Sequence, residues 1–396
     1  MRYDFISYTN RGNIGASKWM DMYTRNPNVA NDIIPMSVAD MDFLTCPEIS
    51  EEIYKFARTQ SLGYARPFDS YLQTVVNFFK EYHGYNAKKE WIVTTPGIVP
   101  ALATSVRTFT QEGEGVIIFT PVYKPFYDVV QEQARKVINC PLIYKNNRYE
   151  IDFELFAKLA SDPNTKLLIL CNPQNPGGMV WSKEDLLKIA EIAENEDLLV
   201  VSDEIHSDIV FEGYKHIVFG SVNDTIGNRA IVCTAASKTF NIAGLQCSNI
   251  FIENEDIRNK FVQNNNGIGI ERANILGIVA TKAAYEYGLD WLEELKTVIR
   301  TNQKIVKEFF ESYNGIFVVM KPEASFTTWI NFEKLNVEHE EFIDFLDKTC
   351  EFFPTDGLSF GENGRYFIRV NVGLPTEKLK ENLERVKNSL KTHYSI

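Results

Sequence analysis

The sequence predicts an α/β fold: a large domain on a mostly parallel sheet flanked by helices, followed by a smaller α+β domain. Three observations predict it. Short apolar runs without polar alternation recur through the middle of the chain, as expected of strands buried on both faces. Longer amphipathic stretches separate them, the pattern of a parallel sheet with crossover helices. Past about residue 285 the texture changes to one long helix and then to strands and helices that read as a separate antiparallel layer.

In chain order, residues 1–44 show no core of their own. They are expected to form an arm that joins the smaller domain or packs on a partner chain. The large domain is placed at 45–285. Its strands are read in "WIVTT", "GVIIFTP", "KLLILCNP", "LLVVSDE", "AIVCTA" and "SNIFIEN". The helix pattern "SKEDLLKIAEIAENED" has Ser182 as its N-cap and Leu186, Leu187, Ile189, Ala190 and Ala193 as its apolar stripe. The smaller domain is placed at 286–396. It opens with the helix "LDWLEELKTVIRTNQKIVKEFFESYN" and continues through "IFVVMKP", "ASFTTWINF", a helix over 338–351, "GRYFIRVNVG" and a final helix.

Composition narrows the function classes. The 396 residues carry a formal charge of −12 with no basic block, which argues against a nucleic-acid partner. The first twenty residues mix charged and polar groups and lack the apolar core of a signal peptide. No uncharged apolar run approaches the roughly 18 residues of a membrane span. A soluble, cytoplasmic protein is expected. The six cysteines form no C-x-x-C pair and no zinc-spaced cluster with histidine, so no metal site is expected. They read as small buried thiols, and only Cys247, nine residues past Lys238, is placed near a site.

In open parallel sheets, ligands bind at the carboxyl ends of the strands. The residues just beyond each apolar run therefore matter most. After "WIVTT" come Gly97, Ile98 and Val99, a glycine turn into a helix whose free amides suit a phosphate. "PVYKPFY" presents Tyr123, and "NPQNPGG" presents Asn175 from two Asn-Pro steps. "SDEIH" puts Asp203 and Glu204 at the end of an apolar run, where a carboxylate is costly unless paired. "AASKTFNIAG" puts Lys238 after small residues and before an apolar stretch. Each feature has a bland alternative, such as a turn, a cap or a solvated lysine. Together they bring Tyr, Asn, Asp and Lys to one edge opposite a phosphate-ready helix. Pyridoxal phosphate calls for that set: a lysine for the Schiff base, an acid for the pyridine nitrogen, a donor to the phenolic oxygen, a stacking ring and an anion pocket. The glycine fingerprint that a nicotinamide dinucleotide needs after a strand is missing.

With "NPQNPGG", "SDEIH" and "SKTFNIAGL" in this order, the chain resembles the fold type I pyridoxal-phosphate enzymes of the class I/II aminotransferase superfamily. "PMSVADMDF" and "TPVYKPF" make it most similar to the cystathionine β-lyase subgroup of C–S lyases, which also holds the maltose-regulon modulator. The resemblance spans roughly 30–375 and implies a seven-stranded, aspartate-aminotransferase-like large domain. It implies that Lys238 bonds the cofactor, that Asp203 pairs with the pyridine N–H, and that Tyr123 stacks on the ring, these three being catalytic. Asn175 and His206 would face the phenolic oxygen. The amides of Gly97, Ile98 and Val99, with Ser237, would hold the phosphate. Tyr64, in "GYARPF", would reach the phosphate of a neighbouring subunit, implying a homodimer with shared sites. Arg369, in "FIRVN", would grip the substrate carboxylate, with Arg365 as its rival and a structural ion pair as the bland alternative.

The chain departs from the pattern of that family at several positions. Ser37 replaces a usual tryptophan, Gln174 a common histidine, and Lys124 a usual proline. Ala235 and Gln246 stand where many aminotransferases carry a serine and an arginine, which leaves the phosphate end with less positive charge. The implied reaction is cleavage of cystathionine- or cysteine-type thioethers to pyruvate, ammonia and a thiol, through a quinonoid. Transamination shares every one of these residues and is the second reading. A regulatory pyridoxal-phosphate-binding protein and a generic α/β protein are the third and fourth.

Overall fold

The structure is a computed structural model that describes residues 2–30, 32–270 and 272–396. The large sheet is built from β1 (Ile92–Thr95), β2 (Gly115–Thr120) and β3 (Lys136–Pro141). After a short hairpin of β4 (Ile143–Lys145) and β5 (Arg148–Glu150) come β6 (Thr165–Cys171), β7 (Leu199–Asp203), β8 (Ala230–Thr234) and β9 (Ser248–Ile252). The seven strands lie in the order β1-β9-β8-β7-β6-β2-β3. All run parallel except β9, which is antiparallel to both its neighbours.

The absence of polar alternation has the expected cause. Strands β2, β8 and β9 are buried along their whole length. Their side chains alternate between two cores. Val116, Ile118, Leu167, Ile169, Val201 and Ile231 face one core, which includes Ile98, Leu102 and Val106 of the helix Ile98–Phe109. Ile117, Phe119, Leu168, Leu170, Val200 and Val232 face the other, which includes Leu186, Ile189 and Ala193 of the helix Lys183–Asn195. A strand period of two sends each apolar run to both faces, so neither face can be polar.

The smaller sheet comprises β10 (Val318–Val319), β11 (Thr327–Asn331), β12 (Thr355–Asp356) and β13 (Phe367–Asn371), antiparallel in the order β10-β11-β13-β12. The helix Leu289–Glu311 leads into it, and Thr376–Tyr394 closes the chain. The N-terminal segment differs from the expectation of no core. Trp19, Met22, Val29 and Ile33 form a small apolar cluster with Phe353. Its backbone is then stitched to the small sheet: Met36 N–H donates to Phe353 O, and Asn371 N–H donates to Met36 O. The sequence conceals this cluster because its fifth member lies more than 300 residues away. Among the described residues, no helix is long and apolar enough to cross a membrane.

Ser182 caps the helix Lys183–Asn195 in a full capping box. Its Oγ accepts from Asp185 N–H while the Asp185 carboxylate accepts from Ser182 N–H. Replacing such a cap typically costs about 1 kcal/mol. Ser182→Ala is expected to lower the unfolding free energy by that amount in urea titrations with an unchanged m-value. An unaltered midpoint would show that water replaces the cap without loss.

Candidate active site

The carboxyl ends of five parallel strands open onto one cavity of about 660 Å³, and β13 of the smaller sheet closes its far side. Gly97, Ile98 and Val99 come after β1, Tyr123 after β2, and Asn175 after β6. Asp203 ends β7, while Ser237 and Lys238 come after β8. His206 and Arg369 also line the cavity. Of the residues expected at the site, the fold brings together all but Tyr64, which is fully exposed and does not line the cavity of its own chain.

Lys238 is held in a four-residue helical turn, Ala236–Thr239, preceded by buried Ala235. Its Nζ donates to Ala39 O at 2.7 Å. Burial depresses its pKa, opposed by the nearby Asp40 carboxylate and assisted by Arg369. The neutral amine is thus favoured, as a nucleophile or base requires. Asp203 is 5% exposed and, among the described residues, its carboxylate accepts only from the Ile205 amide, at 3.2 Å. Burial pushes its carboxyl up to about 7, partly offset by that amide. Its neighbour Glu204 is equally buried but satisfied by the His216 ring at 2.7 Å, Ser202 Oγ and the Phe219 amide. Of the two acids in "SDEIH", only Asp203 turns into the cavity without a partner.

Arg369 is the converse case. At 4% exposure its guanidinium donates to neutral oxygens, Asn175 Oδ1 at 3.0 Å and Thr355 Oγ1 at 3.3 Å, and rests 4.9 Å over the Phe360 ring. Its Nε has no partner among the described residues. Burial lowers its pKa to about 10. Among the described residues, neither Arg369 nor Asp203 takes part in an ion pair, so the structural ion pair considered for Arg369 falls away. Arg365 is excluded as its rival. It lies before β13, exposed, and is paired with Glu362 and Glu340 on the surface rather than facing the cavity.

His206 shares its Nδ1 with Ser325 Oγ at 3.2 Å, and burial lowers its pKa to about 3, so the ring is neutral. Tyr123 lies on the wall, its phenol pushed up by burial and by Asp203. At the opposite end, Gly97 takes a φ of 118°, which a side-chain-bearing residue rarely adopts, and starts the helix Ile98–Phe109 into the cavity. The first amides of that helix have no acceptor within it. Lys124 sits on the rim with its ammonium given to Asp128. Cys171, expected only as a core thiol, lines the cavity together with Cys247, because the last residue of β6 faces the opening.

Other lining residues carry no sequence signal. Val38 and Ala39 come from the N-terminal segment, as do Ser17, Asp21 and Arg25 of an early helix. Thr355 and Asp356 are β12 itself, and Ser359 and Phe360 come from the segment between β12 and β13. Only the "PMSVADMDF" motif hinted at the first group, through Ser37, which also lines the cavity with its Oγ unpartnered. The uncompensated acid, the uncompensated arginine, the half-buried lysine in the same cavity and the glycine-led helix end fit pyridoxal phosphate and an amino acid. Asp203 suits a cationic ring nitrogen, Arg369 a carboxylate, Lys238 an aldehyde, and the helix end a phosphate.

The chain is similar to known proteins in sequence and in fold. A family model for aminotransferase class I and II matches residues 31–386. The chain is 37% identical to cystathionine beta-lyase PatB of Bacillus subtilis, over 91% of this chain and 93% of that protein. It superposes on cystalysin from Treponema denticola, which contains pyridoxal 5'-phosphate, with a TM-score of 0.97 and 40% identity, over 99% of this chain and all of that one. A pyridoxal-phosphate-bound C–S lyase from Staphylococcus hominis superposes with a TM-score of 0.91 and 30% identity, over 98% of both chains.

The raised pKa of Asp203 has a measurable consequence in the cofactor-free chain. A carboxyl that holds its proton more tightly when folded contributes most below its unfolded value near 3.9. That contribution is lost as the pH climbs to the folded value of about 7. Asp203→Asn removes the loss. The cofactor-free variant should therefore be more stable than the parent at pH 8, by up to the order of 4 kcal/mol, with the difference vanishing near pH 4. Equal stability at both pH values in denaturant titrations would mean that Asp203 is compensated in solution.

Proposed function

The chain belongs to the aminotransferase class I and II family, and from that premise we propose that it is a pyridoxal-phosphate-dependent C–S β-lyase. It cleaves cystathionine- or cysteine-type thioethers, with water, to a thiol, pyruvate and ammonia. The observation that carries this reading is the pair of uncompensated buried charges, Asp203 and Arg369, that both bear on Lys238 in one cavity, where its pKa is lowered. Its choice of lyase over transaminase is supported by likeness to cystathionine beta-lyase PatB and to the C–S lyase of Staphylococcus hominis.

Bound in the cavity, pyridoxal phosphate supplies an aldehyde for the substrate amine and a ring that accepts electrons from the α-carbon. The rest falls to the chain. Asp203 holds a proton on the ring nitrogen, because a carboxylate buried without a counter-ion is stabilised by a cation beside it. Arg369 holds the substrate carboxylate through Nε and Nη and so fixes which α-bond faces Lys238. Lys238 Nζ, whose pKa burial lowers, takes the α-proton. The thiolate then leaves the β-carbon. Tyr123 would supply a stacking surface for the ring, and Asn175 and the neutral His206 would serve its phenolic oxygen. The amides of Gly97, Ile98 and Val99, with Ser237, hold the phosphate.

The active unit is proposed to be a cytoplasmic homodimer. Residues 54–68 expose Tyr54, Leu62, Tyr64 and Phe68, an apolar run that a second copy would cover. Tyr64 in that run would reach the neighbouring subunit's phosphate. Sedimentation should give twice the chain mass, and Tyr64→Phe should release cofactor faster on dialysis. A monomer of full activity would remove Tyr64 from the site.

The central test is to incubate the protein with cystathionine and assay pyruvate and free thiol together. Stoichiometric release of both is expected; keto acid formed from an amino donor without thiol would make the protein a transaminase. Borohydride should trap the cofactor on Lys238, and an adduct elsewhere would overturn the site. Arg369→Ala should raise KM roughly 30-fold or more while leaving the cofactor absorbance unchanged. An unchanged KM would place the carboxylate elsewhere.

A further inference from the structure

Residues 38–43 form a loop that is tied to both functional ends of the cavity. Asn371, two residues beyond Arg369, donates from Nδ2 to Val38 O and Asp40 O, each at 2.7 Å. Asn241, three residues beyond Lys238, donates to Met41 O at 3.0 Å and Phe43 O at 2.7 Å, and accepts from Met41 N–H. Inside the first clamp, between Val38 and Asp40, Ala39 O accepts from Lys238 Nζ. Val38, which lines the cavity, has a φ of 47°. That left-handed conformation is a true outlier for a β-branched residue and persists only where the surroundings enforce it.

The enforcement comes from the N-terminal segment. Lys18 is completely buried, with Nζ 2.8 Å from Asp42 Oδ2 and 3.5 Å from Asp40 Oδ1. Arg11 bonds Asp40 Oδ2 at 2.9 Å and Asp42 Oδ1 at 2.8 Å. Both cations lie against the Trp19 ring. Two acids and two cations thus share one buried cluster on the loop that carries Ala39. A buried ionic cluster is weak evidence of added stability, since desolvation offsets the attraction. Its geometric effect is plain: it fixes the side chains on either side of the turn.

We propose that Lys18 and Arg11 are positioning residues, which act through Asp40 and Asp42 to hold the 38–42 turn against Lys238. Asp40 is the hinge of the effect, because it faces both the cluster and Lys238. The titratable groups that bear on Lys238 are Asp40, Arg369, Asp203 and His206. Those around the cluster include Tyr8, which burial and the charge of Asp42 push up to about 12 and so keep neutral. With one cation removed, the acids carry an uncancelled negative charge toward Lys238, and the turn that presents Ala39 O loosens. The uncancelled negative charge favours a proton on the Lys238 nitrogen and outweighs the loss of the Ala39 acceptor, which acts the other way.

The test rests on Lys238 as the cofactor-bonded lysine and is made on cofactor-loaded protein. Lys18→Met and Arg11→Gln are each titrated by absorbance for the pH midpoint of the cofactor–Lys238 linkage. The midpoint should rise by about half a unit or more in each. A lower melting temperature with an unmoved midpoint would reduce the cluster to a structural prop and overturn the proposal. If Lys18→Met does not fold, Arg11→Gln, whose side chain is 22% exposed, decides alone. Borohydride mapping separates the two failures. An adduct off Lys238 defeats the functional reading, whereas an adduct on Lys238 with a static midpoint defeats only this one.

Discussion

The cavity is organised around two buried charges for which the described residues supply no counter-ion. A carboxylate and a guanidinium taken out of water each cost several kcal/mol unless paired. The fold pairs its other buried charges near the site: Glu204 with His216, Asp208 with His83, Glu323 with Arg148, and Asp42 with Lys18. Against that background Asp203 and Arg369 stand out. Both bear on Lys238, and among the described residues each is satisfied only by neutral donors or acceptors. The energy withheld there is available to a ligand that carries a cation at one end and a carboxylate at the other.

The architecture explains how Asp203 can be left alone. In register, it sits between Cys171 on β6 and Cys233 on β8, two neutral side chains that cannot neutralise it. Strand alternation then turns Glu204 to the opposite face, where His216 and the Phe219 amide meet it. A single residue step thus separates a structural acid from one kept for a ligand. Arg369 owes its isolation to β13, an interior strand whose other residues are apolar or, like Asn371, engaged with the 38–43 loop.

Much of this was legible in the sequence because it is local. Apolar runs mark strands, and the residue just after each run marks the cavity edge, so Asp203, Asn175, Tyr123 and Lys238 could be read from position alone. The cap at Ser182 was legible for the same reason, since its box closes within three residues. The features that stayed hidden depend on contacts between distant segments. The Trp19–Phe353 cluster, the Lys18–Asp42 pair and the Val38 turn each join pieces that no periodicity links. The rivalry between Arg365 and Arg369 was undecidable for a related reason. Both lie near the start of one strand, and only the position of the surface acids Glu340 and Glu362 separates them.

The phosphate end obeys the same economy of charge. Ala235 is buried and neutral, Gln246 lines the cavity in a left-handed turn, and the one nearby ammonium, Lys124, is engaged by Asp128. In the proposed reading, an anion there is held by backbone amides, the Ser237 hydroxyl and the positive end of the helix Ile98–Phe109. These are short-ranged and directional, unlike a guanidinium. An added cation at this end would also act on Lys238 through a dry interior and push its amine further toward the neutral form. A neutral cradle avoids that coupling. The protonation of the lysine is then left to Asp40, Asp203 and Arg369, the groups that bear directly on the α-carbon's proton.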